Sequence, residues 1–183
     1  MARSAARKAR NSRTRRLATR NVGSTKKHPP VSRKTTRKRR VKKAVAATPG
    51  VIPMISYEDG IAALEWLHRA FGFEETARHV TPDGRLSHGE MTAGDGLVML
   101  ASPTPDYHGP KRHREVCEYA RKWSTVPWII DGVLVLVNKF DEHFARAKAA
   151  GATILSNIES DPPGRRYRAE DLEGHRWFFI EQS

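Results

Sequence analysis

From Val51 onward the chain spells one order of hydrophobic periods twice. The first pass opens with VIPMISY, where Ile52, Met54 and Ser56 alternate onto one face as a strand requires. Asp59 then stands as an N-cap before GIAALEWLHRAFGF, whose Ile61, Leu64, Leu67 and Phe71 recur at helical spacing and whose Gly72 can end the helix. Three strand-like pieces follow, ETARHV, LSHGEMTA and LVMLAS, divided by the turn sequences PDG and GDG. The second pass runs through the strand IDGVLVLVN and the helix FDEHFARAKAAGA, with Phe140, Phe144 and Ala147 on one face and Gly151 at its end. TILSNIE, RRYRAE and HRWFFIEQ then read as three more strands. A twofold strand–helix–strand–strand–strand order predicts an α+β domain of two βαβββ modules. In each module one helix covers one face of a sheet, so the opposite face must pack on something or line a cavity.

The first 50 residues are of another kind. They hold 18 of the 33 Lys and Arg, no Asp or Glu and no aromatic residue, which leaves 15 basic against all 20 acidic side chains for residues 51–183. A tail of +18 precedes a body of −5. Without large apolar side chains a segment cannot offset the entropy of ordering its backbone, so residues 1–50 are expected to be a disordered Lys/Arg-rich tail. Its densest run, RKTTRKRRVKK at 33–43, suits phosphate neutralisation, hence nonspecific contact with nucleic acid or another polyanion. The tail offers no aromatics for stacking and no zinc spacing, and an organelle transit segment, a solubility tail or a misassigned start are the competing readings. Cys117 is the single cysteine, which excludes an intrachain disulfide and fits a reducing, cytoplasmic setting. No apolar run reaches the roughly 20 residues of a membrane span.

Between the passes lies an irregular connection, Pro103 to Trp128, in which HREVCEYARKW can form a short helix. Connections of this length serve as lids or ligand loops, or cover a sheet edge. The boundaries are a first module at about 51–102, a connection at about 103–128 and a second module at about 129–183.

The duplication, the EDGIAALEWLHRAFGFEE helix, the GDGLVML hairpin, the VNKFDEHFARAKAAGA helix and the EDLEGHRWFF ending together resemble the glyoxalase, bleomycin-resistance and extradiol dioxygenase superfamily, also called vicinal oxygen chelate proteins. The resemblance covers nearly all of 51–183 and implies that eight strands form a cup. In metal-dependent members His and Glu side chains on the first and last strands of each module hold a divalent ion, which stabilises an anionic species by Lewis-acid chemistry. Matched residue by residue, those positions fall on Ile52, near Leu100, on Gly132 and on Phe178. A slip of one residue brings Pro53, Met99, Val133 or Trp177, none of them better ligands. The resemblance thus implies a small-molecule cup without the usual metal, with a divalent ion on atypical ligands as the alternative. Dimers are common in the family, so a homodimer is a further expectation.

His88 and Glu90 are two apart on one strand and share a face, which makes them the candidate acid/base pair. Met54, Ser56 and Phe178 are candidate ligand contacts. Arg166 and Arg168 share a face that the family matching turns inward, and two guanidiniums there would suit a carboxylate or phosphate. His68, His143 and His175 fall at helix or turn positions where a solvated side chain is expected, and His108 and His113 lie in the basic connection. Glu170, Asp171 and Glu173 read as the acids of a turn at Gly174. Three functions stay open: a glyoxalase-like enzyme, a metal-free binder of the bleomycin-resistance kind, and a protein held on polyanions by its tail.

Overall fold

The Asp59 carboxylate accepts the Ala62 N–H at 3.0 Å and so starts the first helix, and Gly72, at φ 69°, ends it with its N–H on the His68 carbonyl. The computed structural model describes residues 50–128, 131–162 and 164–183. The expectations for the basic tail therefore lie, Gly50 apart, outside the described residues. The elements run β1 (Met54–Ser56), α1 (Gly60–Phe71), β2 (Glu74–Val80), β3 (Leu86–Ala93), β4 (Gly96–Ala101), α2 (Pro110–Val116), α3 (Glu118–Ser124), β5 (Gly132–Val137), α4 (Phe140–Ala149), β6 (Thr153–Asp161), β7 (Gly164–Glu170) and β8 (Arg176–Glu181). The fold is α+β, with two mixed four-stranded sheets in the orders β1-β4-β3-β2 and β5-β8-β7-β6. In each sheet the first strand pairs parallel with the last, Met54 opposite Met99 and Leu134 opposite Phe178, and the other pairs are antiparallel. This is the duplicated βαβββ order that the periodicity predicts.

Alternation assigns the two faces of each sheet. In the first module Met91, Ala93, Val98 and Leu100 are buried together with Ala63, Leu64 and Leu67 of α1. His88, Glu90 and Met99 then point to the open face. In the second, Val135, Val137, Tyr167, Ala169, Trp177 and Phe179 are buried in the same core as Phe140 and Ala147 of α4. Leu134, Arg166, Arg168 and Phe178 are left on the open face. One core spans both modules, because the Phe71 ring at the end of α1 packs on His143, Trp177 and Phe179, and its carbonyl accepts from Arg146 at 2.9 Å.

Three expectations are corrected. The first strand begins at Met54 rather than Ile52, and Leu100 lies beneath α1, so Met99 is the fourth-strand residue on the open face. The connection forms two helices instead of one, interrupted at Cys117, whose extended backbone (φ −119°, ψ 112°) cannot continue a helix. His143 is not solvated. It is 4% exposed, enclosed by the rings of Phe71, Phe179 and Tyr167, with Nδ1 2.6 Å from the Tyr167 hydroxyl. Helical spacing marks it as a polar position, but the packing of α4 against the end of α1 turns that position inward.

Burial pushes the His143 pKa down to about 4 from 6.5, with Arg146 adding to the shift. Between those values the unfolded chain binds a proton that the folded chain refuses, so stability rises with pH from about 4 to 6.5 and is level above. The effect amounts to at most about 3 kcal/mol. In urea denaturation at about pH 4.5, 5.5 and 6.5, His143→Gln should flatten this dependence by about one proton relative to the wild type.

Candidate functional site

The approach to β8 is held by three carboxylates. Asp171, 4% exposed, accepts the Tyr57 hydroxyl at 2.6 Å and the Trp177 indole N–H at 3.0 Å on Oδ2, and the backbone N–H groups of Glu173 and His175 at 3.1 and 3.0 Å on Oδ1. Glu173 reaches the other module, accepting the N–H groups of Glu58 and Asp59 at 2.7 and 3.0 Å. Glu170 takes Arg114 bidentately at 2.7 and 3.0 Å and Arg176 Nε at 3.2 Å. Arg176 in turn donates to the carbonyls of Val126 and Ser124, which fastens the far end of the connection. Gly174, at φ 88°, allows the tight turn, and a Cβ there would come within 3.0 Å of the Lys111 backbone nitrogen. These acids do form the expected turn, and they also tie both modules and the connection together.

Burial shapes the ionisation of this cluster. It raises the Tyr57 hydroxyl well above its ordinary range, with Asp171 adding to the rise. Burial raises Glu173 against the pull of the Asp59 and Glu58 N–H groups. Burial raises Glu58 too, but the Gly109 N–H and Arg112 outweigh it and hold its carboxyl below the usual range.

Two recesses adjoin this cluster. A groove of about 390 Å³ opens between β1 and β5, lined by Met54, Ser56, Gly132, Tyr107, His175 and Arg176 among others. A second cavity of about 330 Å³ lies beneath α2 and α3 and shares Tyr107, Asp131, His175 and Arg176 with the groove. Burial, followed by the charges of Glu173, Glu58 and Asp171, raises Tyr107, so its hydroxyl stays a donor. His175 departs from the solvated position expected of it. Its ring stands edge-on to Tyr57 at 4.6 Å, and its Nε2 is buried without a hydrogen-bond partner.

The expected site residues fall in three places. Met54 and Ser56 line the groove. On the open face of the first sheet His88 Nε2 is 2.9 Å from Glu90 Oε1, and the His79 ring lies 5.8 Å from that of His88. On the open face of the second, Arg168 donates to Glu159 at 2.6 Å and lies 5.7 Å over the Phe178 ring, while Arg166 Nε donates to the other Glu159 oxygen at 2.9 Å. Phe178 in turn leans on Gly132, where an added Cβ would overlap its ring, so this cluster backs onto the groove. Glu159, Tyr107, His175 and Asp131 were not legible as site residues. Glu159 escapes strand alternation because β6 pairs with two irregularities, at Ile154/Ser156 and Ser156/Glu159.

The side chains at the positions to which the family resemblance assigns metal ligands do not suit a metal. Met99, Gly132 and Phe178 offer no oxygen or imidazole nitrogen from a side chain, nor does Ile52. Among the described residues no three His, Cys, Asp or Glu side chains converge as a metal site would need. Among them, too, no helix is long and apolar enough to cross a membrane.

A sequence profile of the Glyoxalase/Bleomycin resistance protein/Dioxygenase superfamily matches residues 53–179. An uncharacterized protein of Mycobacterium bovis is 29% identical over 139 residues, spanning 73% of this chain and 84% of its own. TioX from Micromonospora sp. ML1, a solved structure, is 30% identical with a TM-score of 0.53, covering 74% of this chain and 97% of that one. A glyoxalase-related enzyme from Clostridium phytofermentans superposes with a TM-score of 0.51 at 15% identity, over 77% of this chain and all (100%) of its own, and supports the fold alone.

Asp171→Ala should lower the unfolding free energy by about 3 kcal/mol or more, since it strands the Tyr57 hydroxyl, the Trp177 N–H and two backbone N–H groups. Urea denaturation at neutral pH measures this loss, and Tyr57→Phe, which removes one donor cleanly, should cost clearly less.

Proposed function

The chain belongs to the Glyoxalase/Bleomycin resistance protein/Dioxygenase superfamily, and from that premise we propose that it binds a small anionic molecule in the groove between its modules without the family's usual divalent ion. The observation that carries this reading is the set of side chains on the open faces of the sheets, which back onto the groove through Gly132. Met99, Gly132 and Phe178 stand where metal ligands would, and Arg168 lies over Phe178 within reach of an anion resting on that ring. A guanidinium supplies positive charge and directed donors without a metal, and the aromatic face beneath it suits an apolar or planar body. Glu159 is then the internal carboxylate that holds the arginines until a ligand anion competes for them.

The proposed organisation follows the repeat: a basic tail to about residue 50, a first module at about 51–102, a connection at about 103–128 and a second module at about 129–183. Titration calorimetry with benzoate and phenyl phosphate tests the binding reading. Saturable binding of at least one, unchanged after dialysis against EDTA and weakened about tenfold or more by Arg168→Gln, is expected. Affinity lost to EDTA, or an Arg168→Gln variant that binds as the wild type does, would overturn it.

A second reading, catalysis, is favoured by the contact between His88 and Glu90, close enough for one to orient the other in proton transfer. For any bound ligand that is turned over, Glu90→Gln should reduce kcat by about a hundredfold with little change in KM. An unchanged kcat removes the pair from the chemistry. The tail contributes a separate activity in this proposal, salt-sensitive contact with polyanions through residues 33–43.

A further inference from the structure

Neither α2 nor α3 buries a single residue. Their apolar side chains face outward instead: Tyr119 is 74% exposed and Trp123 45%, and Trp128, just past α3, is 69% exposed. Tyr119 and Trp123 are four apart on α3 and so lie on one face of it. The pair is not a loose flap, because the Arg114–Glu170 bridge and the Arg176 bonds to the Ser124 and Val126 carbonyls hold both helices to the body. Such rings stay in water at a cost unless something else covers them.

Charge identifies what covers them. Residues 110–124 contain five Lys and Arg against two Glu; Arg112 and Arg114 are bridged to Glu58 and Glu170 of the body, which leaves Lys111, Arg121 and Lys122 against Glu115 and Glu118, whereas the rest of 51–183 holds ten basic against 18 acidic side chains, a net −8. Arg121 and Lys122 flank the aromatic pair, and the Lys122 ammonium sits 5.7 Å from the Trp123 ring centre. A second copy docked about a two-fold axis would set this cationic patch against itself. A partner combining negative charge with flat, unpaired apolar faces meets both features, and single-stranded nucleic acid is that chemistry. Duplex is disfavoured, since its bases are already stacked on one another.

We propose that the outer face of α3, with Tyr119, Trp123 and the flanking Arg121 and Lys122, is a stacking platform for single-stranded nucleic acid. Its electrostatic reach rests on the tail reading above, while its preference for bases does not.

Full-length protein should be titrated with oligo(dT) and oligo(U) of about 20 nucleotides, with polyphosphate as a polyanion lacking bases, with duplex DNA and with phosphatidylglycerol vesicles. Trp66 and Trp177 are buried and out of a ligand's reach, so quenching of tryptophan emission by a bound ligand reports chiefly on Trp123 and Trp128. Quenching by either oligonucleotide but not by polyphosphate is expected, and the two oligonucleotides separate RNA from DNA as the source. By titration calorimetry, the Tyr119→Ala/Trp123→Ala double variant should weaken oligonucleotide binding about tenfold or more and leave polyphosphate binding unchanged. Because neither helix buries a residue, this variant should melt within a degree or two of the wild type. Equal affinity of wild type and double variant for the oligonucleotides would overturn the platform, as would quenching by vesicles in preference to oligonucleotides, which would assign the face to a lipid surface. The tail is tested apart, by changing Arg37, Lys38, Arg39 and Arg40 to Gln. A salt dependence left intact by that change refutes the tail reading without touching the platform.

Discussion

One buried carboxylate, Asp171, organises the junction of the two modules. It is buried, and it is accommodated there because four donors converge on it, two from the backbone of its own turn, one from the Tyr57 hydroxyl of the first module and one from the Trp177 indole at the start of β8. An isolated buried charge would cost several kcal/mol, and a fully solvated one would hold nothing together. With these bonds the turn before β8 is fixed against Tyr57, the residue that follows β1. The groove between β1 and β5 adjoins this junction through His175 and Arg176.

Around this anchor, acids and arginines divide the work. Glu173 gives both oxygens to backbone N–H groups at the start of α1, Glu58 gives one to the Gly109 N–H before α2 and the other to Arg112, and Glu170 gives its own to Arg114 and Arg176. These groups are structural because their hydrogen-bonding capacity is used within the fold. The polar groups next to the groove differ in kind. His175 keeps a ring nitrogen without a partner, Tyr107 keeps its proton, and Arg168 shares one carboxylate with Arg166 above the Phe178 ring. Superfamily membership supplies the general expectation of a small-molecule ligand.

The connection between the modules follows the same logic on the outside of the molecule. Its inner contacts are ionic and backbone hydrogen bonds, so its apolar side chains are not needed for attachment and are free to face outward. An element attached through polar groups and displaying aromatic ones reverses the usual amphipathic arrangement.

Local periodicity carried most of the architecture. Strand alternation, helical spacing, the Asp59 cap and the Gly72 terminus are interactions between residues near in sequence, and they were legible because neighbours alone decide them. The duplicated order then left little choice of topology. The partners of side chains were decided elsewhere. His143 looks solvated until the end of α1 packs over it, Leu100 and Met99 exchange roles through a one-residue register, and Glu159 reaches both arginines only because β6 is irregular. Likewise the acids of EDLEGHRWFF announce a turn in the sequence, but not that Tyr57, 114 residues away, completes the site of Asp171. Sequence by itself determined the elements and their order, since these depend on hydrophobic period and local caps. Tertiary structure alone decided which polar groups are consumed in holding the modules together and which stay available at the groove, since that depends on donors and acceptors distant in the chain.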